Sequence, residues 1–177
     1  KHELLEMLYH RFLERAPGDA EVEALIRFRE RGGEALRQHA LFEALQAHLH
    51  AADPAIWGWP AWPEAFRDPG GTAVAGFAPA HGERIGYHEY LQWQAERQLG
   101  SACARCIDLG MAIGLYLDLA VSVDRGGSDA WRHRESFALD VRIGAPPDIF
   151  NTRGQDWGLP PLRPDRLREG RYAPFIG

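Results

Sequence analysis

The run from Ile113 to Val123 constrains this chain more than any other segment. Its odd positions read Ile113, Leu115, Leu117, Leu119, Val121 and Val123. Its even positions read Gly114, Tyr116, Asp118, Ala120 and Ser122. Period two over eleven residues, apolar on one face and small or mixed on the other, specifies a strand buried on both sides. No other stretch reads as strongly, although Ala138–Ile143 is a short second candidate. A buried strand with no partner in its own sequence conflicts with a complete domain. It fits a slice through a larger α/β barrel. The start at Lys1 rather than Met, and the stop at Gly177 after the apolar Ala173–Ile176, read as cut ends. No signal peptide pattern opens the chain.

Before that run the pattern is helical. Leu4, Leu5, Leu8 and Phe12 recur at helical spacing, and Ala16-Pro17-Gly18 ends that helix. Asp19 is placed to cap a second helix carrying Val22, Leu25, Ile26 and Arg29, which Gly32-Gly33 terminates. A third runs from about Glu34 to His50 with Leu41, Leu45 and Leu49 on one face. The segment Asp53–Gly71 is rich in Pro and Trp. Its Trp57, Trp59 and Trp62 form either a ligand platform or anchors that pin a loop to the helices. Ala73–His81 reads as a short helix that Pro79 bends. A long helix follows, with Tyr87, Leu91, Ala95, Leu99, Ala102 and Cys106 along its inner stripe. The fold class expected is a mainly α-helical fragment with one or two strands, a slice of a (β/α)8 TIM barrel with a helical insertion subdomain. Residues 1–110 make the insertion subdomain. Residues 111–177 supply a barrel strand, a long Pro/Gly-rich loop and the start of the next helix.

Composition removes several function classes. Hydrophobic residues at 45% and charged residues at 25% are globular usage, not that of a disordered chain. A net charge of -5 with interspersed signs leaves no basic block to neutralise phosphates, so nucleic acid is not an expected partner. The longest apolar run is too short to span a bilayer, so no membrane is expected either. Cys103 and Cys106 cannot build a disulfide framework, which makes the cytoplasm the default location. In a helical context they read as buried structural thiols. The eight histidines form no metal-ligand spacing, and no metal is expected.

Two places carry chemistry. Asp118 sits inside the strand pattern, opposite the leucines. A buried carboxylate must be paired or hydrogen-bonded, so it either faces a ligand or pairs with a structural Arg. Asp124 and Asp129 flank Gly126-Gly127 and read as turn and helix-cap residues before Trp131. The second place is Gly144–Pro164, with five prolines and three glycines in 21 residues, which reads as neither helix nor strand. Disorder is a poor reading, because Ile149, Phe150, Trp157 and Leu159 would be wasted in a solvated linker. Asp148, Asn151, Gln155 and Asp156 are residue types that hydrogen-bond sugar hydroxyls, and Trp157 offers a flat face to a pyranose ring. A carbohydrate site and a rigid structural loop both remain open on this composition.

The run Gly114–Val121, followed by G-A-P-P-D-I-F-N and G-Q-D-W-G-L-P-P, resembles the 4-alpha-glucanotransferases of glycoside hydrolase family 77. Gly32–Leu36 and Glu89–Leu99 resemble the helical insertion of the bacterial branch. The resemblance implies a (β/α)8 barrel that transfers a segment of an α-1,4-glucan, a maltodextrin, to an acceptor glucan. It implies a retaining reaction with a nucleophile and an acid/base about 5–5.5 Å apart, and no cofactor. Asp118 matches the family's strand aspartate lining the donor sugar site. Asp148, Gln155 and Trp157 match the loop over the glucan and its anchors. The family's Arg-Ile-Asp-His nucleophile motif is not in this sequence. Cys106-Ile107-Asp108-Leu109 precedes the Asp118 strand and lacks the flanking Arg and His, so Asp108 reads as a helix-end residue. No catalytic residue is therefore assigned, and the chain alone is expected to be inactive. The rival readings are a non-catalytic carbohydrate-binding module and a helical interaction module. An unpartnered strand also leads us to expect self-association.

Overall fold

A computed structural model describes residues 2–118, 120 and 122–173. Leu119, Val121 and residues 174–177 lie outside the described residues, so that part of the 113–123 strand expectation and of the Ala173–Ile176 run does too. In chain order the elements are α1 (His2–Leu13), α2 (Ala20–Ala52), α3 (Thr72–Ala80), α4 (Gly82–Asp108), α5 (Ser128–Arg132), β1 (Gly144–Ala145), β2 (Gln155–Asp156) and α6 (Pro164–Glu169). Short 3-10 turns occupy Trp59–Ala61, Glu64–Phe66 and Arg134–Ser136. The described chain is thus mainly helical, with two short strands. Two compact units emerge, Lys1–Leu45 with Gly76–Asp118, and Gln46–Ala75 with Leu119–Gly177. Their boundaries fall inside α2 and α3.

The first unit is built on aromatic rings. Tyr9 and Phe12 of α1, Leu25 and Phe28 of α2, and Tyr87, Tyr90 and Trp93 of α4 form its buried cluster. Phe12 meets Tyr90 at 5.1 Å and Trp93 at 5.5 Å between centroids, and Tyr9 meets Tyr87 edge-on at 5.5 Å. Such pairs add about 0.5–1.5 kcal/mol beyond simple burial. Gly86 makes the approach of α1 feasible, since a Cβ there would lie 2.7 Å from the Tyr9 hydroxyl. Ion pairs rim the cluster, Arg84 with Glu6 at 2.5 Å and Arg97 with Glu21 at 2.9 Å among them. They are half-exposed and mainly set register.

Helix punctuation follows local chemistry. Asp19 Oδ1 accepts the Glu21 N–H at 2.8 Å at the start of α2. Inside α2, Gly33 adopts φ 50°, ψ -141°, so the two helices read on either side of Gly32-Gly33 meet at a kink. Leu41, Leu45 and Leu49 are buried as their spacing requires. Pro79 falls near the end of α3. Two faces differ from expectation. On α1 the buried pair is Tyr9 and Phe12, while Leu4 and Leu8 are exposed. On α4 the stripe is Gly86, Tyr87, Tyr90, Trp93 and finally Cys106, whereas Ala95, Leu99 and Ala102 face solvent. Large rings facing rings bury more apolar area than Ala and Leu at the alternative positions, so they set the helix rotation.

The strand expected over 113–123 does not form among its described residues. They carry no strand pairing, and up to Asp118 they are largely exposed: Ile113 is 85% and Leu117 68% accessible, while Ser122 Oγ donates to the Pro160 carbonyl at 2.6 Å. A ladder needs a neighbouring strand, and none pairs with this run among the described residues. Ala138–Ile143 is likewise a turn and an extended link leading into β1 rather than a strand. Asp108 ends α4, as read, and Cys106 is buried while Cys103 is half-buried.

In the second unit, Trp62 and Trp131 are fully buried and pack edge-on at 5.7 Å. Each indole N–H has an acceptor: Trp62 donates to Gln46 Oε1 at 3.1 Å and Trp131 to the Phe66 carbonyl at 3.1 Å. Trp59 is buried too and donates to the Arg125 carbonyl at 2.9 Å. These tryptophans are anchors, while Trp57 remains 70% exposed. Asp124 is a turn residue, its Oδ1 accepting the Gly126 N–H at 2.9 Å. The cap position of α5 is held by Gly127 rather than Asp129, without a side-chain cap bond.

Candidate functional site

The Pro/Gly-rich segment folds back on itself. β1 and β2 pair antiparallel, Gly144 opposite Asp156 and Ala145 opposite Gln155. The pairing extends outward, because Trp157 N–H donates to the Ile143 carbonyl at 3.0 Å and Ile143 N–H to the Leu159 carbonyl at 2.8 Å. Ala138 N–H reaches the Pro161 carbonyl at 2.8 Å, and a bridge joins Phe137 to Leu162. A segment read as neither helix nor strand therefore contains a short ladder. Its glycines permit it. A Cβ on Gly144 would collide with the Gln155 carbonyl oxygen, and Gly154 holds φ +72° with the Ala145 carbonyl 2.7 Å from where its Cβ would sit.

The four residues singled out in the sequence divide into three situations. Asp148 holds the tip of the hairpin: its Oδ1 accepts the N–H groups of Phe150 at 2.8 Å and Asn151 at 2.6 Å, and its own N–H donates to the Asn151 carbonyl. That is an Asx-type turn, which orders a loop that carries Ile149 and Phe150 at 87% and 93% exposure. Gln155 and Trp157 come together on the returning strand, where the indole N–H donates to Gln155 Oε1 at 3.0 Å. This fixes the Trp157 ring while leaving it 45% exposed. Asp118 lies at the end of the first unit, exposed and outside any regular element.

Arg142 and Asp156 were not legible as a pair from sequence. Their ion pair at 2.9 Å straddles the ladder, and Asp156 Oδ1 also accepts the Gly158 N–H at 2.8 Å. The Gly158 N–H first, then Arg142, hold the Asp156 carboxyl below the usual carboxylate range. Arg125 likewise donates to the carbonyls of Leu139 and Val141, tying down the stretch that feeds β1. The signal that could have found the hairpin is the pair of glycines at 144 and 154 bracketing a Pro-Pro-Asp turn.

A second recess lies in the first unit. It encloses about 250 Å³ and is lined by Glu6, Tyr9, His10, Ala80, His81, Glu83, Arg84 and Tyr87. Its charges are spent on one another, Glu6 with Arg84 and His10 with Glu83 at 3.8 Å. The Arg84 partner lowers the Glu6 carboxyl below its ordinary value. These pairs dock α1 on α4 and leave no uncommitted acid–base couple.

What the hairpin offers is an immobilised indole face beside amide and carboxylate groups, chemistry suited to a ring with one apolar face and hydroxyls at its edge. A profile of the family described as 4-alpha-glucanotransferase matches residues 1–177. The 4-alpha-glucanotransferase of Mycobacterium tuberculosis is 44% identical over 148 residues, covering 84% of this chain and 20% of that protein. That of Thermus thermophilus is 35% identical over 173 residues, covering 94% of this chain and 33% of its own length. The chain thus spans about a fifth to a third of these relatives. Among solved structures, the amylomaltase of Corynebacterium glutamicum superposes with a TM-score of 0.71 at 32% identity, covering 97% of this chain and 21% of the other. An amylomaltase from Streptococcus agalactiae in complex with acarbose gives a TM-score of 0.82 at 23% identity, covering 98% and 34%, and speaks to the fold alone. No helix among the described residues is long and apolar enough to cross a membrane. With the glycine-bracketed hairpin in place and the family profile matched along residues 1–177, the chain belongs to the 4-alpha-glucanotransferase family.

Proposed function

We propose that this chain is the substrate-holding part of a 4-alpha-glucanotransferase, which moves a segment of an α-1,4-glucan to an acceptor glucan by a retaining double displacement. The observation that carries this reading is Trp157. A ring that costs apolar exposure is locked by Gln155 on a hydrogen-bonded hairpin and kept open to solvent. Trp157 is the stacking face for a glucose ring. Gln155 positions it, and Asp148 shapes the turn ahead of it. Asp118 contributes a carboxylate to the donor sugar, carried by the strand that residues 113–123 form once neighbouring barrel strands are present. In this reading residues 1–110 are the helical insertion of a (β/α)8 barrel and residues 111–177 are its barrel slice. The carboxylate pair that breaks and remakes the glycosidic bond is supplied from elsewhere, since no Arg-Ile-Asp-His motif is present. The free cysteines on α4 support a reducing, cytoplasmic setting.

Maltoheptaose titration monitored by tryptophan fluorescence tests the reading. A saturable change that Trp157→Ala diminishes is expected. A saturable change untouched by that substitution, or no change at all, overturns it. The exposed apolar run supports a further expectation: the isolated chain pairs with a second copy through residues 111–118, where Ile113, Tyr116 and Leu117 stand open. Sedimentation velocity should show a concentration-dependent dimer, and a monomer throughout would remove that claim.

A further inference from the structure

Trp57 is exposed for a reason that the fold does not provide. Both peptide groups flanking it are clamped by one buried side chain. Gln46 is 7% exposed, its Nε2 donates to the Ile56 carbonyl at 3.2 Å, and its Oε1 accepts the Gly58 N–H at 2.7 Å. His50 Nδ1 sits 3.1 Å from the same Ile56 carbonyl. A carbonyl only accepts, so Nδ1 is the donor in this contact and Nε2 is left for another partner. Beyond Trp57 the chain is pinned again. Gly58 takes φ +77° with the Gly126 backbone 3.2 Å from where its Cβ would be, and Trp59 N–H donates to the Gly126 carbonyl at 3.3 Å.

So rigid a seat for an exposed indole contributes nothing to the core. Trp59 and Trp62 on the same segment are buried, which shows that the loop can bury rings where burial is what stabilises it. The His50 and Trp57 rings meet at 80° with centroids 5.3 Å apart, two walls of an open corner. One wall offers a π face and the other the Nε2 edge of an imidazole. A pyranose fits that pairing, with its C–H face against the indole and a hydroxyl hydrogen-bonded to Nε2.

We propose that the Trp57–His50 corner is a second α-glucan contact, separate in sequence from the hairpin of Trp157. The ligand class rests on the function proposed above, while the site rests on its own residues.

The test follows indole N–H resonances by NMR, with Trp57 and Trp157 assigned through Trp57→Phe and Trp157→Phe. Maltoheptaose is titrated at two protein concentrations, with cellopentaose as the β-linked control. The Trp57 resonance should shift saturably with maltoheptaose, and His50→Ala should weaken the affinity read from it by about five- to tenfold. Unchanged Trp62 and Trp131 resonances establish that the variant is folded. A shift at Trp157 with Trp57 still overturns this inference and leaves the hairpin reading intact. A shift at Trp57 with Trp157 still does the reverse. Silence at both overturns the two together. A Trp57 resonance that moves with protein concentration, and not with sugar, identifies a protein contact and overturns the corner as a sugar site.

Discussion

The first helical unit and the Gly144–Leu162 hairpin are held by opposite means. In the first, Tyr9, Phe12, Tyr87, Tyr90 and Trp93 pack ring on ring and stay out of water. In the hairpin, backbone ladders, an Asx turn and the Arg142–Asp156 pair do the ordering, while Ile149, Phe150 and Trp157 remain in solvent. The difference separates two uses of aromatic side chains. The rings of the first unit are buried, whereas Trp157 is hydrogen-bonded at its edge and left open.

The largest effect that would break this contrast is on the core. Trp93→Ala should destabilise the chain by about 3–5 kcal/mol in a denaturant titration, as for other buried aromatic truncations. A loss under about 1 kcal/mol would mean that the ring cluster is not what holds α1 and α4 together.

Next is the hairpin backbone. Gly144→Ala places a methyl group against the Gln155 carbonyl oxygen and should cost about 2 kcal/mol, felt as lost amide protection at Trp157 and Ile143. Unchanged protection would show that the β1–β2 ladder does not order the loop.

Acid sharpens the comparison from the other side. Burial first, then Arg84 and His39, push His88 down to about 4. Its folded value lies below its unfolded one, so the unfolded chain binds more protons between about pH 6.5 and 4. Stability should be fully present above that window and fall by about 1–2 kcal/mol as pH drops through it, after discounting for the half-exposed ring. His88→Leu should flatten this slope. The paired carboxylates Glu6, Asp19 and Asp156, all lowered, lose their contribution only at more acid pH, so the two effects separate along the pH axis.

How much of this was legible in the sequence depends on how local the cause is. The Gly33 kink and the Asp19 cap were, because backbone freedom and a side-chain acceptor act within one helical turn. The rotation of α4 was not. Leu91, Ala95 and Leu99 satisfy helical spacing as well as Tyr87, Tyr90 and Trp93 do, and the rings of α1 decide between them. The strand at 113–123 was read from its period, but a strand exists only with partners, and none pairs with this run among the described residues. At the hairpin the residue types were legible and their division of labour was not. Asp148 and Gln155 turn out to spend acceptor oxygens on the loop itself.

The smallest effect is the most pointed: Trp157→Ala should leave stability within about 0.5 kcal/mol of the parent chain, since the ring supports little packing. A core-sized loss would place Trp157 among the stabilising rings and dissolve the contrast.

The central claim is that these residues hold a glucan and do not cut it. Incubating the chain alone with maltotriose and following glucose and longer maltodextrins reads this directly. The account expects no product above a protein-free control, even at protein concentrations that saturate binding. Sustained disproportionation that purifies with the chain, and is lost on substituting one of its own carboxylates, would contradict it.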